Sequence, residues 1–194
     1  HHMKALIIVD VQNDFLQAGA LAVPQGDEII DLINKIQSKY DTVVATQDWH
    51  PANHKSFAAM HPQYHIFDTI ELSGHPQVLW PDHCVQGSPG AQFSEFLYMD
   101  HIQAIFRKGM DKNVDSYSAF FDNHRIHSTG LDGYLKSKGI QEIHICGLAA
   151  DFCVYYSAMD ALDLGYKTAI ISKGTKPIDK EGYMKKKELF LQKG

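Results

Sequence analysis

The chain has 194 residues, 44% of them hydrophobic, and a formal net charge of −5. That suits one domain with one buried core, and without a basic stripe it argues against nucleic acid or an anionic membrane surface as a partner. No apolar run approaches the roughly 18 residues that would span a bilayer.

His1 and His2 precede Met3 and read as a tag remnant, so residues 3–194 are expected to form a single domain. No charged segment followed by an apolar one marks a signal peptide after Met3, and a cytoplasmic location is expected. Cys84, Cys146 and Cys153 are an odd number of cysteines, so catalytic, metal-binding or core roles outrank a disulfide framework.

KALIIVD is a continuous apolar run ending in an acid, the pattern of a strand buried on both faces of a parallel sheet. Ile29, Ile33, Ile36 and Tyr40 then recur at helical spacing, widened by Ile30, before a second run, TVVAT, at residues 42–46. The unit is strand, helix, strand, right-handed by default. The region 48–92 is rich in His, Pro and Gly and longer than a plain connection needs, which marks a functional loop. Further runs lie at 102–106, 142–146 and 168–171, and DFCVYYSAMDALDLG between the last two predicts a helix closed by Gly165. The Lys-rich end from Lys180 reads as an amphipathic surface helix or a partly frayed tail. This alternation means a doubly wound α/β domain.

Ligands of open parallel sheets bind beyond the carboxyl ends of the strands, so the residues where the apolar runs stop are the ones to inspect. They are Asp10, then Asp48 and His50, then Arg107 and Lys108, then the loop through Gly147 to Cys153. Cys153 falls just inside a predicted helix start, where unpaired N–H groups favour an anion and its thiol pKa is expected to fall. A cysteine in FCVYY also fits a small core hydrophobe, as Cys146 does in its strand; Cys84 fits packing or ligation. Asp10 at a strand end could cap a turn, but a carboxylate beside a thiol and an ammonium can also shuttle a proton between sulfur and a leaving amine. Lys108, partly buried at a strand end, needs an anionic partner such as Asp10. DWHPANH supplies Asp48, His50 and His54, and WPDHC brings His83, a set suited to Zn, Mn or Fe; His61, His65 and His75 read as solvated loop residues.

The segments IIVDVQNDF, ATQDWHPANHKSF, LWPDHCVQGSPGA, FRKGMD, DSYSAF and GLAADFCV, in this order, resemble the nicotinamidase branch of the isochorismatase-like cysteine hydrolases over nearly the whole chain. The resemblance implies a mainly parallel sheet with helices on both faces and a catalytic triad of Asp10, Lys108 and Cys153. It implies metal ligands Asp48, His50 and His83 for one divalent ion, Zn before Mn or Fe, with His54 as a candidate further contact. Phe15 and Trp80 match positions that sandwich an aromatic ring, with Leu16 and Tyr117 as additional walls. A cis peptide between Leu148 and Ala149 is implied, with the amides of Ala149 and Cys153 forming an oxyanion hole. Ala150 stands where Thr is usual. The implied reaction is hydrolysis of nicotinamide to nicotinic acid and ammonia through a thioester, a step of NAD salvage, with pyrazinamide as a second substrate and a homo-oligomer as a candidate assembly. A carbamoyl or ureido amidase, an isochorismatase and a non-catalytic metal-binding module are the competing readings; the metal cluster with Trp80, the thiol and the complete triad disfavour them in turn.

Overall fold

Alternate residues of β1 (Met3–Val9) are divided between the two faces of one sheet. In the computed structural model, which describes residues 2–194, Leu6 and Ile8 pack on one side and Ala5, Ile7 and Val9 on the other, as the two-residue period of a strand requires. β1 is the centre of a five-stranded parallel sheet in the order β5-β2-β1-β6-β7. Its neighbours are β2 (Thr42–Asp48), buried along its whole length, and β6 (Ile140–Leu148), while β5 (Ala104–Lys108) and β7 (Lys167–Lys176) form the edges. The chain winds outward from β1 through β2 to β5 and then returns to the other side of β1, which puts the topological switch between β1 and β6.

Helices cover both faces. α1 (Ile30–Ile36) packs Ile30 and Ile33 with Leu6 and Ile8, and 3-10 turns at Gly26–Ile29 and Gln37–Lys39 extend it in both directions. α2 (Leu131–Ser137), α3 (Tyr155–Asp163) and α4 (Lys180–Lys193) pack Leu131, Leu135, Ala158 and Phe190 against the opposite face. The doubly wound parallel sheet expected from the apolar runs is the one observed. α2 had no expected counterpart, and the Lys-rich end is a docked helix. The region 48–92 holds an antiparallel hairpin, β3 (Thr69–Leu72) with β4 (His75–Val78), outside the main sheet. Among the described residues no helix is long and apolar enough to cross a membrane.

The segment after β6 departs from a simple helix start. The Leu148–Ala149 peptide is cis, as expected, and Ala150–Val154 winds as a wide π-helical turn before α3 begins at Tyr155. Gly147, at φ 111°, lies so close to the Val9 backbone that a β-carbon there would collide with it. The end of β6 is thereby drawn tightly against β1.

Candidate active site

Strand register assembles the centre of the site. Asp48 and Lys108 are paired residues at the ends of β2 and β5, and Asp10 follows β1 directly. Lys108 is 2% exposed, and its Nζ lies 2.5 Å from Asp48 Oδ1, 2.9 Å from Asp10 Oδ2, 2.8 Å from the Ser116 carbonyl and 3.4 Å from Cys153 Sγ. A buried ammonium is tolerable only with such compensation. Thr46 Oγ1 donates to Asp10 Oδ1 at 2.7 Å and fixes the other carboxylate oxygen. The structure therefore brings Asp10, Lys108 and Cys153 together.

The protonation states follow from burial and from this charge cluster. Burial raises the Asp10 carboxyl, the Asp48 charge adds to it, and against the pull of Lys108 it stands at about 6. Burial also opposes ionisation of Asp48, but Lys108 and His50 outweigh it and hold this carboxyl well below the usual range. Lys108, disfavoured by burial, is raised well above its ordinary value by Asp10 and Asp48. Burial likewise pushes the Cys153 thiol well up; Lys108 works the other way, and Asp10 and Asp48 reinforce burial. The expected lowering of the thiol at a helix start is not what the structure gives. Cys153 is 7% exposed between two carboxylates, and their effect with burial exceeds that of the local backbone dipoles. The surroundings of Cys153 favour a neutral thiol, with the Asp10 carboxyl adjacent to it.

Asp48, His50 and His83 converge on the far side of the same carboxylate. His50 Nδ1 donates to the Gly109 carbonyl and His83 Nδ1 to the Pro81 carbonyl, both at 2.8 Å, which leaves each Nε2 with a free lone pair. Those Nε2 atoms lie 3.5 and 3.8 Å from Asp48 Oδ2, and one ligand atom from each of the three residues falls within 4.8 Å of the others. His50 Nε2 is buried with no hydrogen-bond partner. Despite burial, Asp48 draws the His50 pKa up, while burial and His50 lower His83 to about 4. Two rings thus compete for one positive charge beside Asp48, and the donor set fits a divalent cation. Gly109, at φ 73°, is required here, because a β-carbon would run into the His50 ring.

His54 lies beside this trio and belongs to a second group, His50, His54 and Asp115, whose ligand atoms also fall within 4.8 Å of one another. Its Nδ1 accepts the Ser56 backbone N–H at 3.1 Å, so the neutral ring carries its proton on Nε2, which faces the Val114 carbonyl at 3.2 Å. Both nitrogens are committed to the protein, although the ring lies 4.5 Å from that of His50.

A cavity beside the thiol is lined by Phe15, Trp80, Tyr117 and Ala149 together with Asp48, His83 and Cys153. Trp80 Nε1 donates to the Tyr117 hydroxyl at 3.2 Å, which ties two walls together. Leu16 is not among the lining residues. In extended backbone neighbouring side chains diverge, so Leu16 turns into the core beside Phe15 and Leu21 takes the place at the wall. Phe152, Ile178 and Asp115 also line the cavity and had no expected role there. Phe152 adjoins Cys153, the one local signal that could have drawn attention to it. Gln12 was also missed. Its Nε2 donates to the Asp48 and Ala91 carbonyls and its Oε1 accepts the Asp48 N–H, all at 2.8 Å, so its amide clamps the backbone that carries a candidate ligand. Ala150 is fully buried, in an environment suited to a methyl group.

A thiol, an ammonium and a carboxylate gathered at the carboxyl ends of parallel strands is the constellation of a thiol hydrolase built on a doubly wound sheet. The chain belongs to the isochorismatase family, whose domain matches residues 4–193. It is 48% identical over 180 residues to the nicotinamidase of Escherichia coli K12, covering 91% of this chain and 84% of that protein. Its fold is similar to that of the nicotinamidase and pyrazinamidase of Acinetobacter baumanii, with a TM-score of 0.97, 46% identity, and coverage of 100% of this chain and 94% of the other. A pyrazinamidase of Pyrococcus horikoshii in complex with zinc aligns with a TM-score of 0.78 at 35% identity, covering 98% and 96% of the two chains.

Proposed function

We propose that this protein hydrolyses nicotinamide to nicotinic acid and ammonia by thiol catalysis. The observation that carries the proposal is Lys108 Nζ, 3.4 Å from Cys153 Sγ and 2.9 Å from Asp10, beside a cavity with aromatic walls. The activity of the relatives named above supports the choice of substrate. The pyridine ring lies between Phe15 and Trp80, and pyrazinamide, a carboxamide on a similarly flat ring, enters the same space. Asp48, His50 and His83 would hold a divalent cation, zinc by analogy with the Pyrococcus protein. Such a cation would bind and orient the ring nitrogen of the substrate.

Asp10 takes the proton of Cys153 as sulfur attacks the amide carbon, and Lys108 holds the developing thiolate beside both carboxylates. The N–H groups of Ala149 and Cys153 receive the oxyanion, an interaction that elsewhere is worth about a hundredfold or more in rate per donor. The proton on Asp10 passes to the departing nitrogen, the C–N bond breaks, and a thioester and ammonia are left. Asp10, again ionised, accepts a proton from water as that water attacks the thioester; nicotinic acid leaves and the thiol is restored.

The test is ammonia release from nicotinamide by the purified protein, before and after chelation and with Zn, Mn or Fe added back singly. Release that is lost on chelation and restored by one ion is the expected result. No release under any of these conditions overturns the proposal.

A further inference from the structure

The C-terminal helix takes no part in the chemistry above, yet it reaches the turn that carries the nucleophile. Lys186 is the one lysine of α4 that is not exposed. Its Nζ donates to the Asp151 carbonyl at 2.5 Å and lies 4.0 Å from the centre of the Phe152 ring, with the Tyr156 ring at 5.2 Å. The Asp151 carboxylate, 1% exposed, accepts the N–H groups of Ile178 and Asp179, both at 2.9 Å, in the segment that leads into α4. Asp179 then caps the helix by accepting the Gly182 N–H at 3.2 Å.

Asp151 is therefore held from both ends, its carbonyl by the middle of α4 and its carboxylate by the approach to α4. The residues so fixed are close to the reaction. Phe152 and Ile178 line the cavity with Cys153, and Phe152 packs edge-on against Trp80 and Tyr117 at 5.0 and 5.4 Å between ring centres. Burial lowers the Lys186 pKa, while Asp151 and Asp179 oppose that shift. A lysine with only a solubilising role would have no reason to accept partial burial.

We infer that Lys186 is a positioning residue for the thiol: by clasping Asp151 and covering Phe152 it holds the nucleophile turn and one aromatic wall in place. The inference rests on the thiol-hydrolase reading of the site. Its effect on rate follows from the tolerance of the reaction, since a misplacement of about 1 Å can cost about a hundredfold.

The test compares Lys186→Met and Lys186→Arg with the unaltered, metal-loaded protein in two assays. One is steady-state hydrolysis of nicotinamide. The other is alkylation by iodoacetamide, with peptide mapping to follow Cys84, Cys146 and Cys153 separately. In Lys186→Met, kcat is expected to fall about tenfold with KM changed less than about threefold. Cys153 should be alkylated faster as Phe152 loosens, while Cys84 and Cys146 stay protected. Lys186→Arg, which keeps a donor and a cation over the ring, should restore both readouts. Unchanged kcat and unchanged Cys153 labelling in Lys186→Met overturn the inference. So does faster labelling of all three cysteines in both variants, which would mean general loosening of the fold. If nicotinamide is not the substrate, the labelling pattern still decides the role of Lys186.

Discussion

Asp48 and Lys108 sit opposite each other in the register of β2 and β5, and their side chains meet at 2.5 Å. One carboxylate joins two functions: Oδ1 faces the ammonium of the candidate triad, and Oδ2 faces the two histidines. The charge that holds Lys108 in place is the charge that would attract a cation.

Replacing Lys108 by Met should therefore do more than stop turnover. It leaves Asp10 and Asp48 buried without their cation, and breaking such a group by removing one partner costs about 3–5 kcal/mol. Urea unfolding should show a loss of that size alongside loss of ammonia release. A variant as stable as the parent would mean that the two carboxylates are not ionised together.

Cys153→Ala should abolish turnover and leave metal content unchanged by atomic absorption if the cation sits on the candidate trio Asp48, His50 and His83; loss of metal would point instead to the group Asp10, Asp48 and Cys153. Appreciable ammonia release by the purified variant would sink the thiol mechanism.

Gly109→Ala tests the support of His50. The new β-carbon needs a left-handed backbone and meets the His50 ring, so the Gly109 carbonyl that orients Nδ1 must move. Loss of such an outer partner typically lowers metal affinity about 10- to 100-fold, to be read by competition with a chromophoric chelator. Affinity equal to the parent would show that the carbonyl does not set the ring orientation.

Gln12→Ala should lower stability by about 1–3 kcal/mol for each buried Asp48 backbone group left unpaired, while the Ala91 carbonyl keeps Gln47 Nε2 at 3.0 Å. Gln12→Glu should be worse, since the new carboxylate would face two carbonyl oxygens. Thermal unfolding of the two variants gives the order, and the reverse order would contradict the clamp.

The strand ends were legible because a strand buried on both faces must be a continuous apolar run, and Asp10 and Asp48 are where two such runs lead. Edges were less clear. β5 has Ile105 and Arg107 exposed, so its apolar pattern is weak, and a run expected at 102–106 proved to span 104–108. The hairpin β3–β4 was hidden because neither strand has a strong face, and β4 contains Pro76. Leu16 and Leu21 cannot be told apart by composition; the extended backbone at Leu16 decides which one reaches the cavity. The raised Cys153 thiol depends on burial beside Asp10 and Asp48, residues far away in the chain. Lys186 illustrates the same limit: in a run of lysines only tertiary contact marks the one that touches Phe152. The candidate trio of Asp48, His50 and His83 came from the family pattern, which left the place of His54 open; its ring groups with His50 and Asp115 and bonds to Ser56 and Val114.

The sealed cluster of Lys108, Asp10, Asp48 and Cys153 has a consequence in its charge balance. With the thiol protonated and Asp10 ionised, the four groups sum to a single negative charge; with the proton moved from sulfur to Asp10 the sum is the same. On the proposed mechanism, moving the proton from Cys153 to Asp10 would relocate a charge across a few ångströms without adding one to the interior, and the solvation cost that would penalise a lone buried thiolate would largely cancel. Lys108 needs no change of protonation in either state. Its three N–H donors serve Asp48 Oδ1, the Ser116 carbonyl and Cys153 Sγ, while Asp10 Oδ2 lies 2.9 Å away with no hydrogen-bond partner, so a small reorientation of the ammonium is enough to follow the charge.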